Sequence, residues 1–278
     1  MAKIAVRAEH GAPPRARVVA SGDGWSVSEV VCGLGPRDRA FEEQHCSVTI
    51  AMVTAGTFEY RSRKGRHTMT PGSLLLGGVG ECFECGHEYG TGDRCVSFAY
   101  SPEIFDGLEV PPVFRSARVS PVRELSPLIA RASAAIDAAT EISWHELSIE
   151  LAARTAQVDC EPVREPAVTA GAIARVSRVL RRIESDQESS CDLVGLAREA
   201  RMSPYHFLRT FRSVAGVTPH QYILRMRLRR AAARLRMEPS KIVEIALESG
   251  FGDVSNFNRM FRAEFGVSPR MWRTREAA

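Results

Sequence analysis

The run ECFECGHEYGTGDRC, residues 81–95, gathers Cys82, Cys85, His87 and Cys95. Thiolate sulfur and imidazole nitrogen are the donors that zinc and other thiophilic metals prefer. Extended backbone turns successive side chains to opposite faces, so Cys82 and Cys85 part while Cys85 and His87 share a face. A hairpin turning at GTGD, residues 90–93, would set Cys95 opposite His87. Cys85, His87 and Cys95 then converge, with His45 or Cys46 as the fourth contributor. That set suits zinc, another thiophilic metal, or a redox-sensing thiolate if one is stabilised and exposed. The simpler reading is that the cysteines pack as small hydrophobes and that His87 satisfies a backbone carbonyl.

A second pattern concerns basic residues. FLRTFRSVAGVTPHQY, residues 207–222, returns fifty positions later as FNRMFRAEFGVSPRMW, residues 257–272. Phe207 aligns with Phe257, Arg209 with Arg259, Phe211 with Phe261, Arg212 with Arg262, Gly216 with Gly266, Pro219 with Pro269 and Tyr222 with Trp272. In the first copy Ser203 is an N-cap, Pro204 a first helical residue and Gly216 a left-handed C-cap. Helical spacing then turns Phe207 and Phe211 inward and leaves Tyr205, Leu208, Arg209 and Arg212 as the outward stripe. Upstream, CDLVGLAREARM forms a short helix with Leu193, Leu196 and Ala197 inward. The second copy repeats the plan: KIVEIALESG gives Ile242, Ile245 and Ala246 inward, and DVSNFNRMFRAEFG leaves Ser255, Asn256, Arg259 and Arg262 outward. Two short helices joined by a few residues, the second carrying basic and polar side chains, make a helix-turn-helix. Between the units a long helix from Thr218–Pro219 carries Arg225, Arg227, Arg229, Arg230, Arg234 and Arg236, enough to line a phosphate backbone.

These residues resemble the AraC family of bacterial transcription regulators over about residues 170–275. SPYHFLRTFRSVAGVTPHQYILRMRLRRAAARL and IALESGFGDVSNFNRMFRAEFGVSPRMWR match its signature almost without gaps. The resemblance implies that the second helix of each unit enters the major groove of double-stranded DNA. Tyr205, Leu208 and Arg209, and Ser255, Asn256 and Arg259, are then the base-edge candidates. Arginine suits guanine O6 and N7, and asparagine suits adenine. Leu208 departs from the polar residue often found there and is left a thymine methyl or nothing. Thr218 and Ser268, at helix starts, are the implied phosphate anchors. For the amino-terminal half the resemblance implies a cupin-like barrel that responds to a small-molecule, metal or redox effector, with MTPGSLLLGG as its proline–glycine turn and following strand. It further implies linker and dimerisation helices, a homodimer, and RNA polymerase as the partner of an activator.

The supporting elements agree with this division. Residues 168–278 hold 20 Lys and Arg against 11 Asp and Glu, a net +9, whereas residues 1–167 hold 17 against 22, a net −5. A basic third on an acidic body points to a polyanion partner. The expected class is α+β. An antiparallel β-barrel occupies 1–118, built from short apolar runs separated by TAG, RKG, TPG and GTGD turns. Linker helices follow over 119–160, a proline-bearing linker over 161–169 and an all-α part over 170–278. Seven cysteines, odd in number and unevenly spread, suit reduced thiols. With no signal-peptide pattern and no long apolar run, the expected location is the cytoplasm and no membrane partner is expected. Catalysis is the rival class, as a DNA-repair methyl acceptor or a metal-dependent cupin enzyme. The first lacks a clean four-ligand cysteine set and the second a convergent group among His45, His67 and His87, so no catalytic residue is assigned.

Overall fold

The computed structural model describes residues 11–108, 114–138, 142–158, 168–185 and 192–274. The expected linker at 161–169 lies outside these apart from its last two residues, as do Cys160 and Cys191.

The first part is three layers deep. A six-stranded antiparallel sheet runs in the order β1 (Arg15–Gly22), β2 (Trp25–Cys32), β9 (Asp93–Tyr100), β4 (Val48–Gly56), β7 (Leu74–Gly77) and β10 (Arg118–Val119). A four-stranded sheet runs β3 (Phe41–Gln44), β8 (Cys82–Gly86), β5 (Phe58–Ser62), β6 (Gly65–Met69). The expected barrel is therefore an open pair of sheets. Its larger sheet is covered on both faces, which explains the near-continuous apolar runs that TIAMV and SLLLG show in place of strict alternation. Ala51, Val53, Leu75 and Cys95 pack with Phe58, Tyr60, Met69 and Cys85 of the smaller sheet. Ile50, Met52, Leu74, Leu76, Val96, Phe98 and Tyr100 pack the other way, with Leu128, Ile129, Leu147 and Leu151. The latter residues belong to α2 (Ser126–Ala138) and α3 (Trp144–Val158), and a short α1 (Pro102–Gly107) joins the same core through Phe105.

The second part is helical: α4 (Ala170–Ser185), α5 (Leu193–Glu199), α6 (Pro204–Ala215), α7 (Pro219–Met237), α8 (Ile242–Glu248), α9 (Val254–Phe265) and α10 (Pro269–Thr274). It has two cores. Leu196, Phe207, Phe211 and Tyr222 close one with Val176, Val179 and Leu180 of α4. Ile245, Phe257, Phe261 and Trp272 close the other with Leu228, Ala231 and Leu235 of α7. Leu193, expected inward, is 38% exposed, because it stands at the first helical position, ahead of the turn that packs.

Candidate nucleic-acid interface

The duplication in sequence is a duplication in geometry. Phe207 and Phe211 lie 5.5 Å apart at 59°, and Phe257 and Phe261 lie 5.4 Å apart at 59°. Phe211 meets Tyr222 edge-on at 5.8 Å, and Phe261 meets Trp272 edge-on at 5.9 Å. Each aromatic set fixes the inward face of its helix, and so fixes which side chains face out.

The caps repeat as well. Ser203 Oγ accepts the His206 N–H at 3.3 Å and Asp253 Oδ1 accepts the Asn256 N–H at 2.7 Å. Gly216 and Gly266 end α6 and α9 at φ 76° and 75°. The turns differ in one respect. Met202 N–H reaches Ala197 O, and Phe251 N–H reaches Ala246 O, so Arg201 and Gly250 are equivalent. Gly250 adopts φ 84° freely, whereas Arg201 holds φ 51°, a left-handed conformation that a side chain with a Cβ resists. From there to the N-cap the second turn is one residue longer, Gly250–Asp253 against Arg201–Ser203.

The outward stripes are open to solvent. Tyr205 is 76% exposed, Arg209, Arg212, Ser255, Arg259 and Arg262 are exposed, and Leu208 and Asn256 are partly covered. Arg259 Nη2 donates to Asn256 Oδ1 at 3.0 Å, so the two lie side by side on one helix face. Thr218 and Ser268 are committed as caps. Thr218 Oγ1 accepts the Gln221 N–H at 3.3 Å while Gln221 Oε1 accepts the Thr218 N–H at 3.1 Å, and Ser268 Oγ accepts the Met271 N–H at 3.2 Å.

The arginines of α7 do not form the expected phosphate track. Arg225 donates to Pro121 O, Arg227 to Gly250 O at 3.0 Å, Arg229 to Pro71 O at 3.3 Å and Arg230 to Glu184 O at 2.6 Å. Arg234 pairs with Glu238 at 2.8 Å and with Glu248, and Arg236 lies over the Trp272 ring at 4.9 Å. The physical reason is position. α7 runs between the two helical cores and against α2, so its guanidinium groups satisfy carbonyls and carboxylates inside the chain. Gly72 marks how close the approach is: at φ 93°, a Cβ there would stand 2.0 Å from Arg229 Nη1.

The cysteine and histidine residues are arranged differently from the hairpin expectation. β8 and β9 lie in different sheets, so Cys95 faces Val30 and Val53 across its ladders. Cys82 and Cys46 are exposed, and Cys85, His87 and Cys95 are buried, so the face alternation along β8 holds. His45 stands apart from them, with Nε2 2.9 Å from the Tyr60 hydroxyl and its ring stacked on Phe83 at 4.3 Å. Burial lowers its pKa to about 4. Burial, followed by the Asp93 charge, pushes the Cys85 and Cys95 thiols well up, the opposite of what a redox-sensing thiolate requires. Cys32 and Asp93, which the spacing argument missed, are paired across the β2–β9 ladder beside His87. Cys32 sits in no motif, and Asp93 reads in sequence as a turn residue.

A helix-turn-helix domain model matches residues 196–275, which take in α6, α7, α8 and α9. The TetD protein of transposon Tn10 from Escherichia coli is 37% identical over 98 residues, which cover 35% of this chain and 71% of that protein. The chain belongs to the AraC family of transcription regulators. The HTH-type transcriptional regulator MtrA of Neisseria gonorrhoeae is 27% identical over 36% of this chain, and the match spans only 33% of that protein's length. The HTH-type transcriptional activator RhaS of Salmonella arizonae aligns at 26% identity with 91% of this chain and 95% of its own. Among solved structures, an AraC-type transcriptional regulator from Chromobacterium violaceum is 28% identical, covers 39% of this chain and 97% of its own, and has a TM-score of 0.36. Among the described residues no helix is long and apolar enough to cross a membrane.

Proposed function

We propose that α6 and α9 of this regulator each read one major-groove segment, so that a single chain recognises two adjacent blocks of duplex DNA. The observation that carries this is the twice-built scaffold, an aromatic anchor set that turns an arginine-bearing stripe to solvent in each copy. A lone helix-turn-helix reaches one groove segment and ordinarily needs a symmetric partner for the next, ~34 Å on. Two copies on one connecting helix give direct base contacts without symmetry. Arg209 and Arg259 are assigned to guanine, Asn256 to adenine, and Arg212 and Arg262 to the backbone. Tyr205, Leu208 and Ser255 complete the two stripes. The capping roles of Thr218 and Ser268 leave neighbouring N–H groups as the phosphate contacts there.

The sheet-rich part acts as the effector module. Between it and the helices lies a cavity of about 390 Å³ bordered by Arg94, Asp137, Arg181, Glu184, Arg229 and Arg230. Cationic groups outnumber acidic ones, so an anionic effector fits best. It would shift DNA affinity by binding one placement of the two parts better than the other. A homodimer through the outward face of α3, and contact with RNA polymerase at a promoter, complete the reading. Sequencing of genomic fragments retained by the purified chain at near-physiological salt tests it. Enrichment of a few promoters supports the reading, and uniform retention that vanishes with salt reduces the basic part to nonspecific binding.

A further inference from the structure

The space between the two sheets holds a polar group that DNA recognition does not use. Cys32 ends β2 and faces Asp93, the first residue of β9, directly across the ladder. From the other sheet His87, just past β8, brings Nε2 to 2.6 Å from Asp93 Oδ1. Cys95, two residues along β9 and so on the same face, places Sγ 3.5 Å from Asp93 Oδ2. Relative exposures are 3% for Cys32, 4% for His87, 5% for Asp93 and 5% for Cys95. Ligand atoms of Cys32, His87 and Asp93 all lie within 4.8 Å of one another. A tetrahedron with zinc–sulfur and zinc–nitrogen bonds has edges of roughly 3.3–3.8 Å, so small side-chain rotations close the gap.

His87 hydrogen-bonds to both Asp93 and Cys32, so one nitrogen, one oxygen and one sulfur donor already converge from the two sheets. A cavity of about 110 Å³ opens beside His87, bordered by Asp38, Glu59, Glu84, Glu88 and Arg61, with Glu59, Glu84 and Glu88 ion-paired to Arg61 and Arg66.

We propose that Cys32, His87, Asp93 and Cys95 bind one thiophilic divalent cation of the zinc type between the two sheets. The thiols of Cys32 and Cys95 and the imidazolium of His87 each release a proton to solvent as the ion binds, so the ring ligates in its neutral form. The ion then cross-links β2, β8 and β9, which come from both sheets. Cys85, on the His87 face of β8, borders the same space.

The test is equilibrium competition for Zn²⁺ between the full chain, under thiol-reducing conditions, and a chromophoric chelator. The same site is then read with Co²⁺, whose thiolate charge-transfer absorption reports sulfur ligation. The expected result is uptake of one equivalent with that absorption, weakened at least about tenfold in Cys32→Ser and unchanged in Cys82→Ser, whose thiol lies on the outer face. Absence of uptake by the wild-type chain, or equal uptake by Cys32→Ser, overturns the proposal. Should Cys32→Ser fail to fold, pulsed alkylation of the wild-type chain in sub-denaturing urea, where the two buried thiols become transiently reactive, decides. Zinc should protect Cys32 and Cys95 while leaving Cys46 and Cys82 reactive, and equal labelling with and without zinc contradicts the site. None of these readouts involves DNA, so they stand or fall separately from the groove reading.

Discussion

Glu264, on the inward face of α9, sets its Oε1 3.2 Å from Arg225 Nε on α7 and accepts a hydrogen bond from Ser126 Oγ at the start of α2. One carboxylate thus joins α9, α7 and α2, the helix that lies under the strand-rich part. Removing one member of a buried ion pair leaves the other uncompensated. Glu264→Ala is expected to lower unfolding stability by about 3 kcal/mol, seen as a clear drop in denaturant midpoint at unchanged slope. A midpoint equal to that of the wild-type chain would show that this junction carries no stability.

The arginines divide into two populations with different salt signatures. Arg230, held by Glu184 O at 2.6 Å, is predicted to leave the salt dependence of DNA binding untouched when changed to alanine. Arg262→Ala, on the exposed stripe, should flatten the log–log salt slope by about one unit. Titrations at four or five salt concentrations separate the two, and a slope change in Arg230→Ala would return α7 to the phosphate backbone.

Arg201 holds the left-handed turn that Gly250 supplies in the second copy. Arg201→Gly is expected to relieve that strain and raise stability by up to about 1 kcal/mol, partly offset by the freer unfolded chain. Thermal unfolding checks it, with a lowered midpoint as the contrary result.

The His45 ring is kept neutral in the folded chain, its pKa lowered by burial from 6.5 to about 4, with Glu81 opposing and Lys64 adding to the shift. A depressed folded-state value contributes stability above the unfolded value that is lost as pH falls through the folded one. Stability should therefore decline between pH 6.5 and about 4, and His45→Gln, which can still meet the Tyr60 hydroxyl, should flatten that decline. Parallel pH profiles for the two proteins would refute the assignment.

How far these features were legible from sequence depended on the range of the interaction. Caps, aromatic spacing and outward stripes are local, so Ser203, Gly216, Phe207 and Arg259 could be placed from periodicity alone. The fate of Arg229 and Arg230 is set by Pro71 and Glu184, far away in the chain, and no local rule signals it. The thiol cluster shows the same limit. Face alternation along β8 was readable, but β9 pairs into the other sheet, which brings in Cys32 and Asp93, while the β3–β8 register sets His45 at the opposite end of β8 from His87.

The measurement that bears most directly on the central claim is selection from a randomised duplex library by the wild-type chain, Arg209→Ala and Arg259→Ala side by side. The wild type should enrich two blocks about one helical turn apart, and each variant should lose preference at one position in its own block at a cost of about 1–3 kcal/mol. A single enriched block, or two variants whose motifs match that of the wild type, would contradict the account in which each helix reads its own segment.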